Sequence, residues 1–318
     1  MPSGHPGATT TIKTKTPSRG LYRFREHITL YIMATSALVF VLVFAYLPLA
    51  GLCIAFTNYK PGMRFGDMQF VGLKHFILGI MQPDVLRTLK NTLVFSGLGM
   101  LASPLPALLA ISMSEIPRKR ICRYLQVITT FPNFISFVLV FSMFFAIFAP
   151  SDGVLNKLLL RLGWITAPTN LMGNSGLAYI FQTSIGLWKG LGYGAIVYLA
   201  SLAAIDPGLY EAAEIDGAGR FRKIIHIKIP GLFPTYFTML ILGIGNLLNV
   251  GFEQFLIFYN GLVGDKLEVI DYYVYRMGIL GGNYPMSTAL GITKSLISIT
   301  LLVFANAVAK KVRGSAIF

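Results

Sequence analysis

Residues 206–230 read DPGLYEAAEIDGAGRFRKIIHIKIP, a pattern that predicts a helix, a glycine hinge and a second helix. Asp206 followed by Pro207 is a strong helix start, because the carboxylate can accept free N–H groups of the first turn and proline fits the first helical position. Gly217 and Gly219 are expected to end this helix. Beyond them apolar and basic residues alternate, which predicts a second short amphipathic helix leading to the next membrane span.

This stretch lies between long apolar segments. The chain of 318 residues is 54% apolar and only 13% charged, which excludes an ordinary soluble protein. Six segments are long enough to cross ~30 Å of hydrocarbon: 28–56, 91–113, 124–149, 177–204, 233–258 and 288–309. The first is a retained span, since it is too long for a signal peptide and no cleavage site follows it. The predicted fold class is therefore an all-α polytopic membrane protein with six transmembrane helices.

Basic residues predict the orientation of these spans. Sixteen Lys and Arg fall in the two ends and in the loops that share their side, and about half as many fall in the other loops. Under the positive-inside rule both termini are cytoplasmic. Residues 1–27 are expected to form a largely disordered tail, 28–309 a six-span membrane domain with the cytoplasmic loop 205–232, and 310–318 a cytoplasmic end.

The loop 58–90 on the outer side carries apolar residues at near-helical spacing. They predict either an amphipathic segment on the outer leaflet or a short helix that packs on the spans. The residues concerned are Phe70, Leu73, Phe76, Ile77 and Ile80.

Motifs of catalysis and metal binding are missing from the sequence. Cys53 and Cys122 lack CxxC spacing and are expected to be reduced and structural. The four histidines form no HExxH pattern, and no GxxxxGK[ST] string is present to hold nucleotide phosphates. We expect no catalytic residue, no metal site and no cofactor on this chain, and the excess of basic charge is attributed to membrane topology and not to nucleic acid.

Polar residues occur inside the predicted fifth span. Asn246, Asn249 and Glu253 fall at i, i+3 and i+7, which predicts one helical face, and Gln254 adjoins them. Such a stripe is expected to face away from lipid. It could form hydrogen bonds between helices or bind the hydroxyl groups of a carbohydrate.

Two lysines also fall within predicted spans. Lys189, flanked by Trp188 and Tyr193, is a candidate for the substrate pathway, as is Lys294 with less support. The alternative for both lysines is that they extend to the membrane surface, and membrane interfaces are also rich in Trp and Tyr.

The loop 206–230 resembles the EAA motif of ABC importer permeases. That motif reads EAA, three residues, Gly, nine residues and Ile-x-Leu-Pro, and Ile229 in place of Leu is the one departure. Segments 70–76, 90–96, 249–254, 269–279 and 283–295 are further similar to sugar permeases of the maltose-permease type, in the branch that imports complex oligosaccharides of the pectin, alginate and lipo-oligosaccharide types. The matching loop residues are Glu211, Ala212, Ala213, Gly217, Ile227 and Pro230.

This resemblance implies a coupling loop that docks on a separate ATPase. It implies a second homologous permease chain, two ATPase subunits that bind ATP and Mg²⁺, an external or periplasmic substrate-binding protein and an alternating-access cavity for an oligosaccharide, with uronides among the candidates. The location would be a bacterial cytoplasmic (inner) membrane. The alternatives are an ion-coupled secondary transporter, which would need paired ionisable residues along several spans, and a membrane anchor with no pathway.

Overall fold

The computed structural model describes residues 27–313, and the regular structure of these residues is helical apart from one isolated bridge between Thr57 and Phe70. The predicted disordered tail, except for His27, and residues 314–318 of the predicted end lie outside the described residues. The helices are α1 Ile28–Phe56, α2 Lys74–Met81, α3 Pro83–Ser114, α4 Lys119–Phe134, α5 Phe137–Phe148, α6 Val154–Arg161, α7 Ala178–Ala203, α8 Pro207–Ile215, α9 Arg220–Gly245, α10 Glu253–Phe258, α11 Gly264–Leu267, α12 Ile270–Tyr275 and α13 Tyr284–Arg313.

Five described helices are long and apolar enough to cross a membrane, namely α1, α3, α7, α9 and α13. The pair α4 and α5 makes a sixth span if it is counted as one broken helix. The predicted all-α fold class is confirmed, and the bounds of the first and fourth predicted spans are correct to within one residue.

The chain divides into two compact units, residues 1–53 and 54–318. The second unit contains the packed core, and α7 lies in two of its clusters, one around Ile185 and one around Tyr198. Gly192 brings α7 close to α4, because a Cβ at this position would lie 2.1 Å from the carbonyl oxygen of Thr129. This approach determines how the broken span packs in the second unit.

The predicted third span, 124–149, is wrong as a single helix. The axes of α4 and α5 meet at an angle of 101°, with the break at Ile135 and Ser136. Pro132 lies just before the break, and Ser136 has an extended backbone and caps α5 by accepting the N–H of Leu139 at 3.4 Å. A hydropathy window does not detect the break because the residues on both sides are apolar.

The bounds of the predicted fifth span, 233–258, are also wrong. The helix α9 begins earlier, at Arg220, and ends at Gly245, after which residues 246–252 leave helical geometry before α10. The predicted second amphipathic helix is therefore the first part of α9. A π-helical segment, Ile224–Lys228, precedes Pro230, and its wider turn accommodates the carbonyl that proline leaves without a donor.

The predicted amphipathic loop contains α2. This helix packs on α13, where a Cβ at Gly79 would lie 3.0 Å from Leu290, while Ile77 and Ile80 remain exposed. The packed-helix alternative is therefore correct for one face of α2, and the other face is apolar and exposed.

Candidate functional site

The helix α8 carries the predicted EAA residues and has well-defined ends. The Asp206 carboxylate accepts the N–H of Gly208 at 2.9 Å, and Pro207 takes the first helical position. At the other end Gly217 has φ +72°, the N–H of Ala218 donates to the Ala213 carbonyl at 2.8 Å, and that of Gly217 donates to Glu214 at 3.0 Å. This is a Schellman motif, which requires the left-handed residue that glycine supplies. The predicted helix start and stop are confirmed.

The surface of α8 is open to solvent and partly apolar. Ile215 is 88% exposed and Leu209 53%, and the side chain of Phe221 beyond the hinge is also exposed. Glu211 and Ala212 lie on this exposed surface, whereas Ala213 is half-buried. An exposed apolar patch beside small residues suits contact with another protein. The last two motif residues lie in α9, where Ile227 is half-buried and Pro230 is exposed.

The loop 205–232 is attached to the end of α3 through Glu115, which sequence analysis missed. The Glu115 carboxylate accepts from the guanidinium of Arg220 and from the ammonium of Lys228, and this ammonium also donates to Ser114 at 2.8 Å. Burial acts to raise the pKa of Glu115, but hydrogen bonds from Lys228 and Arg220 outweigh it and hold the pKa below its usual range. The sequence signal that could have identified Glu115 is that it is a single acidic residue just before the basic run 118–120.

A cavity of about 390 Å³, cavity A, lies among α3, α7, α9 and residues 246–255. No charged residue is among those that line it. The amide of Gln254 donates to both the carbonyl and the side-chain oxygen of Gln182 at 2.8 Å, and the Thr183 hydroxyl is buried without a partner among the described residues. The polar lining residues are Ser96, Ser103, Gln182, Thr183, Asn246, Asn249 and Gln254.

A second cavity of about 530 Å³, cavity B, lies on the other side of the same break in the fifth span. It is bordered by the end of α9, by α12 and by α13. Asn246 and Asn249 line both cavities, and both side chains are exposed. These two amides thus lie between the two cavities.

The structure changes the predicted amide stripe. Because α9 ends at Gly245, Asn246, Asn249 and Glu253 do not share one helical face. Asn246, Asn249 and Gln254 still meet at cavity A, whereas Glu253 lines neither cavity and is exposed at the start of α10. Helical periodicity could not predict that these three amides meet at cavity A, because the backbone of residues 246–252 is not helical.

Lys189, Trp188 and Tyr193 line neither cavity. The ammonium of Lys189 donates to three carbonyls at the break between α4 and α5, those of Pro132 at 3.3 Å, Asn133 at 2.7 Å and Ile135 at 2.6 Å. It also lies 4.9 Å from the ring centre of Phe137. The indole of Trp188 packs against Phe144, and Tyr193 is exposed. The geometry thus gives Lys189 a structural role, in which it donates to carbonyls at the break of the helix.

Replacing Lys189 by methionine is expected to lower the stability of the chain by about 3 kcal/mol, because three part-buried carbonyls lose the ammonium as a donor. Uptake of acidic and neutral sugars should fall by the same factor, since the contact is internal. Thermal unfolding and uptake in proteoliposomes measure the two effects. The control is Lys157→Met, whose exposed partner is Asp152 at 3.4 Å, with an expected change within ~0.5 kcal/mol. Loss confined to acidic sugars would instead place Lys189 on the substrate pathway.

An ion cluster that sequence analysis missed joins α3 to the segment around α11 and α12. The side chain of Glu268 is buried, and its carboxylate accepts from Arg87 at 2.8 Å and from Arg276 at 2.5 Å. The backbone carbonyl of Glu268 accepts from the side-chain amide of Asn91 at 3.0 Å. Asn91 in turn accepts the hydroxyl of Tyr179 at 2.6 Å. The cluster fixes the start of α3 against α7, next to the residues that line cavity A.

Comparison with known proteins places this arrangement in context. The family model described as the binding-protein-dependent transport system inner membrane component matches residues 102–314. The chain is 38% identical to Protein LplB of Bacillus subtilis (strain 168) over 91% of each chain. It is 34% identical to the polygalacturonan/rhamnogalacturonan transport system permease protein YteP of the same organism, over 96% of this chain and 95% of YteP. Among solved structures, a chain of a bacterial alginate ABC transporter, in complex with an alginate pentasaccharide-bound periplasmic protein, superposes with a TM-score of 0.82 at 31% identity, covering 94% of this chain and all of that one.

Proposed function

This chain belongs to the binding-protein-dependent transport system inner membrane components, and we propose that it is the permease subunit through which an ABC importer carries an acidic oligosaccharide. The family makes it a multi-pass inner-membrane permease whose ATP hydrolysis resides on a partner subunit, so the predictions of an ABC permease and of no enzymatic activity are confirmed. Family membership also excludes the two alternatives, a secondary transporter and a membrane anchor.

The observation that carries the cargo proposal is the pair of exposed amides at the break in the fifth span. Asn246 and Asn249 lie between two cavities of about 390 and 530 Å³, within the ~300–1,000 Å³ range of ligand pockets. Amides can both donate to and accept from sugar hydroxyls. Support for an acidic cargo comes from YteP, named for polygalacturonan and rhamnogalacturonan, and from the alginate transporter, which imports an acidic polysaccharide.

The helix α9 supplies a mechanical connection between the coupling loop and the amides. It runs without interruption from Arg220, held by Glu115 beside the loop, to Gly245, which precedes Asn246. Its 26 residues span roughly 39 Å at ~1.5 Å per residue. A displacement of the loop would therefore move the residues that line both cavities, as alternating access requires.

The partners follow from this mechanism. A second permease chain completes the pathway, two ATPase subunits bind ATP and Mg²⁺ and receive the loop, and an external binding protein delivers the sugar. On this chain the docking residues are Glu211, Ala212, Ala213 and Gly217, with Ile227 and Pro230 at the base of α9. Both termini and the coupling loop face the cytoplasm, as the distribution of basic residues indicates.

Replacing Asn249 by alanine is expected to lower the uptake of an acidic oligosaccharide roughly threefold to tenfold, because one or two hydrogen bonds to the sugar are lost. Uptake is measured in proteoliposomes that contain both permease chains, the ATPase subunits and the loaded binding protein. The control is Asn174→Ala, in an exposed loop outside both cavities, which should change little. If the wild-type complex takes up no oligosaccharide, or if both variants equal the wild type, the proposed cargo pathway is wrong.

A further inference from the structure

An ion pair lines cavity B. Lys294, in α13, donates to the carboxylate of Asp271, in α12, and the two side chains are 15% and 20% exposed. Among the described residues that line cavities A and B, these two are the charged ones. Burying a charge pair costs desolvation free energy, which only good geometry and further hydrogen bonds offset.

A buried hydroxyl lies beside the pair. Ser298 follows Lys294 by one helical turn, lines cavity B and is 8% exposed. Its Oγ has no hydrogen-bond partner among the described residues. A buried hydroxyl normally finds a partner, so this group is available to a ligand in cavity B.

We propose that cavity B is a second sugar subsite, in which Lys294 binds the carboxylate of a uronate unit and Asp271 limits the strength of that contact. This inference rests on the proposed function and adds to it the residue that recognises the charge of the cargo. Cavity A is lined by neutral amides and hydroxyls, which donate to hydroxyl groups and carboxylates alike, whereas Lys294 offers an ammonium, whose charge favours a carboxylate. The two subsites share Asn246 and Asn249, so they suit neighbouring units of one oligosaccharide.

Asp271 has a defined role in this arrangement. An ammonium with no counter-ion in a low-dielectric cavity would hold a carboxylate too tightly for release, and transport needs binding sites from which the cargo can leave. Sharing Lys294 between Asp271 and the uronate weakens the contact. The pair is also neutral when the cavity is empty, which keeps the unloaded state from burying a lone charge.

The test is competitive uptake of trigalacturonate and its fully methyl-esterified, uncharged form, mixed at equal concentrations, by the complete transporter in proteoliposomes. The binding protein is the same throughout, so a change in the ratio of the two uptake rates arises in the permease. Asp271→Asn should raise the ratio of acidic to neutral uptake roughly tenfold, and Lys294→Met should lower it roughly tenfold. The double variant, with no charge in cavity B, should lie between them.

If the ratio of acidic to neutral uptake shifts in opposite directions in the two variants, the subsite recognises charge. A purely structural ion pair would lower both uptake rates without changing their ratio. Should a single variant fail to assemble, Ser298→Ala provides a second test, since its hydroxyl supports no internal contact. It should lower uptake of both sugars about threefold, while Thr300→Val, outside both cavities, has no effect. Unchanged ratios in the charge variants, or full uptake in Ser298→Ala, overturn the subsite. If the wild type carries neither sugar, the proposed function fails as well.

Discussion

Replacing Gly217 by valine is expected to abolish ATP-driven uptake while the chain still inserts in the membrane. Gly217 has φ +72°, a conformation that costs an L-residue ~1–2 kcal/mol and a β-branched one more. No other atom lies within 4 Å of a Cβ built there, so the cost comes from backbone strain and not from crowding. Relief of that strain would redirect the end of α8 away from the geometry that docks on the ATPase. The measurements are uptake and stimulation of ATP hydrolysis by the loaded binding protein.

Gly219 is the matched control for this substitution. It lies two residues further along the same hinge, its φ is −68°, and a Cβ there would also meet nothing within 4 Å. Gly219→Val should therefore retain most of the uptake. Normal uptake and normal stimulation in Gly217→Val would show that the hinge geometry does not matter for coupling.

Replacing Glu115 by glutamine is expected to lower uptake at least tenfold and the midpoint of thermal unfolding by roughly 5–10 °C. The substitution leaves the ammonium of Lys228, whose side chain is only 11% exposed, without its counter-ion. It also removes the ion pair of Arg220, at the start of the helix that connects the loop to the cavities, although the guanidinium keeps its contact with the Glu115 carbonyl. The Arg220 contact is more exposed and contributes less of the loss.

Glu214→Gln is the control, because it removes the same charge at the neighbouring loop 205–232, where the Glu214 carboxylate pairs with Lys223 and its side chain is 68% exposed, and it should cost less than ~1 kcal/mol. The pH dependence gives a second check. Since the folded pKa of Glu115 is depressed, its stabilisation is present above the unfolded pKa and is lost as pH falls through the folded pKa. The difference in stability between wild type and Glu115→Gln should thus shrink in acid, below the usual range of a glutamate pKa. Equal unfolding midpoints at neutral pH would contradict the role of Glu115.

The sequence predicted those parts of the structure that depend on residues close together in the chain, such as helix ends and the lengths of apolar spans. The start of α8 at Asp206 and its stop at Gly217 follow from capping and from the freedom of glycine, and both are as expected. The spans 28–56 and 177–204 follow from length and hydropathy. By contrast, residues 246–252 contain enough leucine, valine and phenylalanine to pass as part of a longer span, although their backbone is not helical.

Contacts between distant residues account for what was missed. Glu115 and Lys228 are 113 positions apart, and Arg87 and Glu268 are 181 apart, so no periodicity in a single sequence can pair them. Lys189 illustrates the same limit. Its sequence context resembles that of a lysine at a span edge, but its partners are backbone carbonyls whose exposure depends on a break more than 50 residues away.

The central claim is that α8 is the cytoplasmic surface on which a separate ATPase docks. It is tested most directly with Ile215→Cys, at an apolar residue of α8 that is 88% exposed, in a chain whose Cys53 and Cys122 are replaced by alanine. Trp164→Cys, in the exposed loop after α6, serves as the reference for the outer side. We expect an impermeant thiol reagent added to intact cells to label position 164 and not 215, and a thiol cross-linker to join 215 to the ATPase subunit in the assembled complex. Labelling of 215 from outside, or an assembled complex without that cross-link, would contradict the claim.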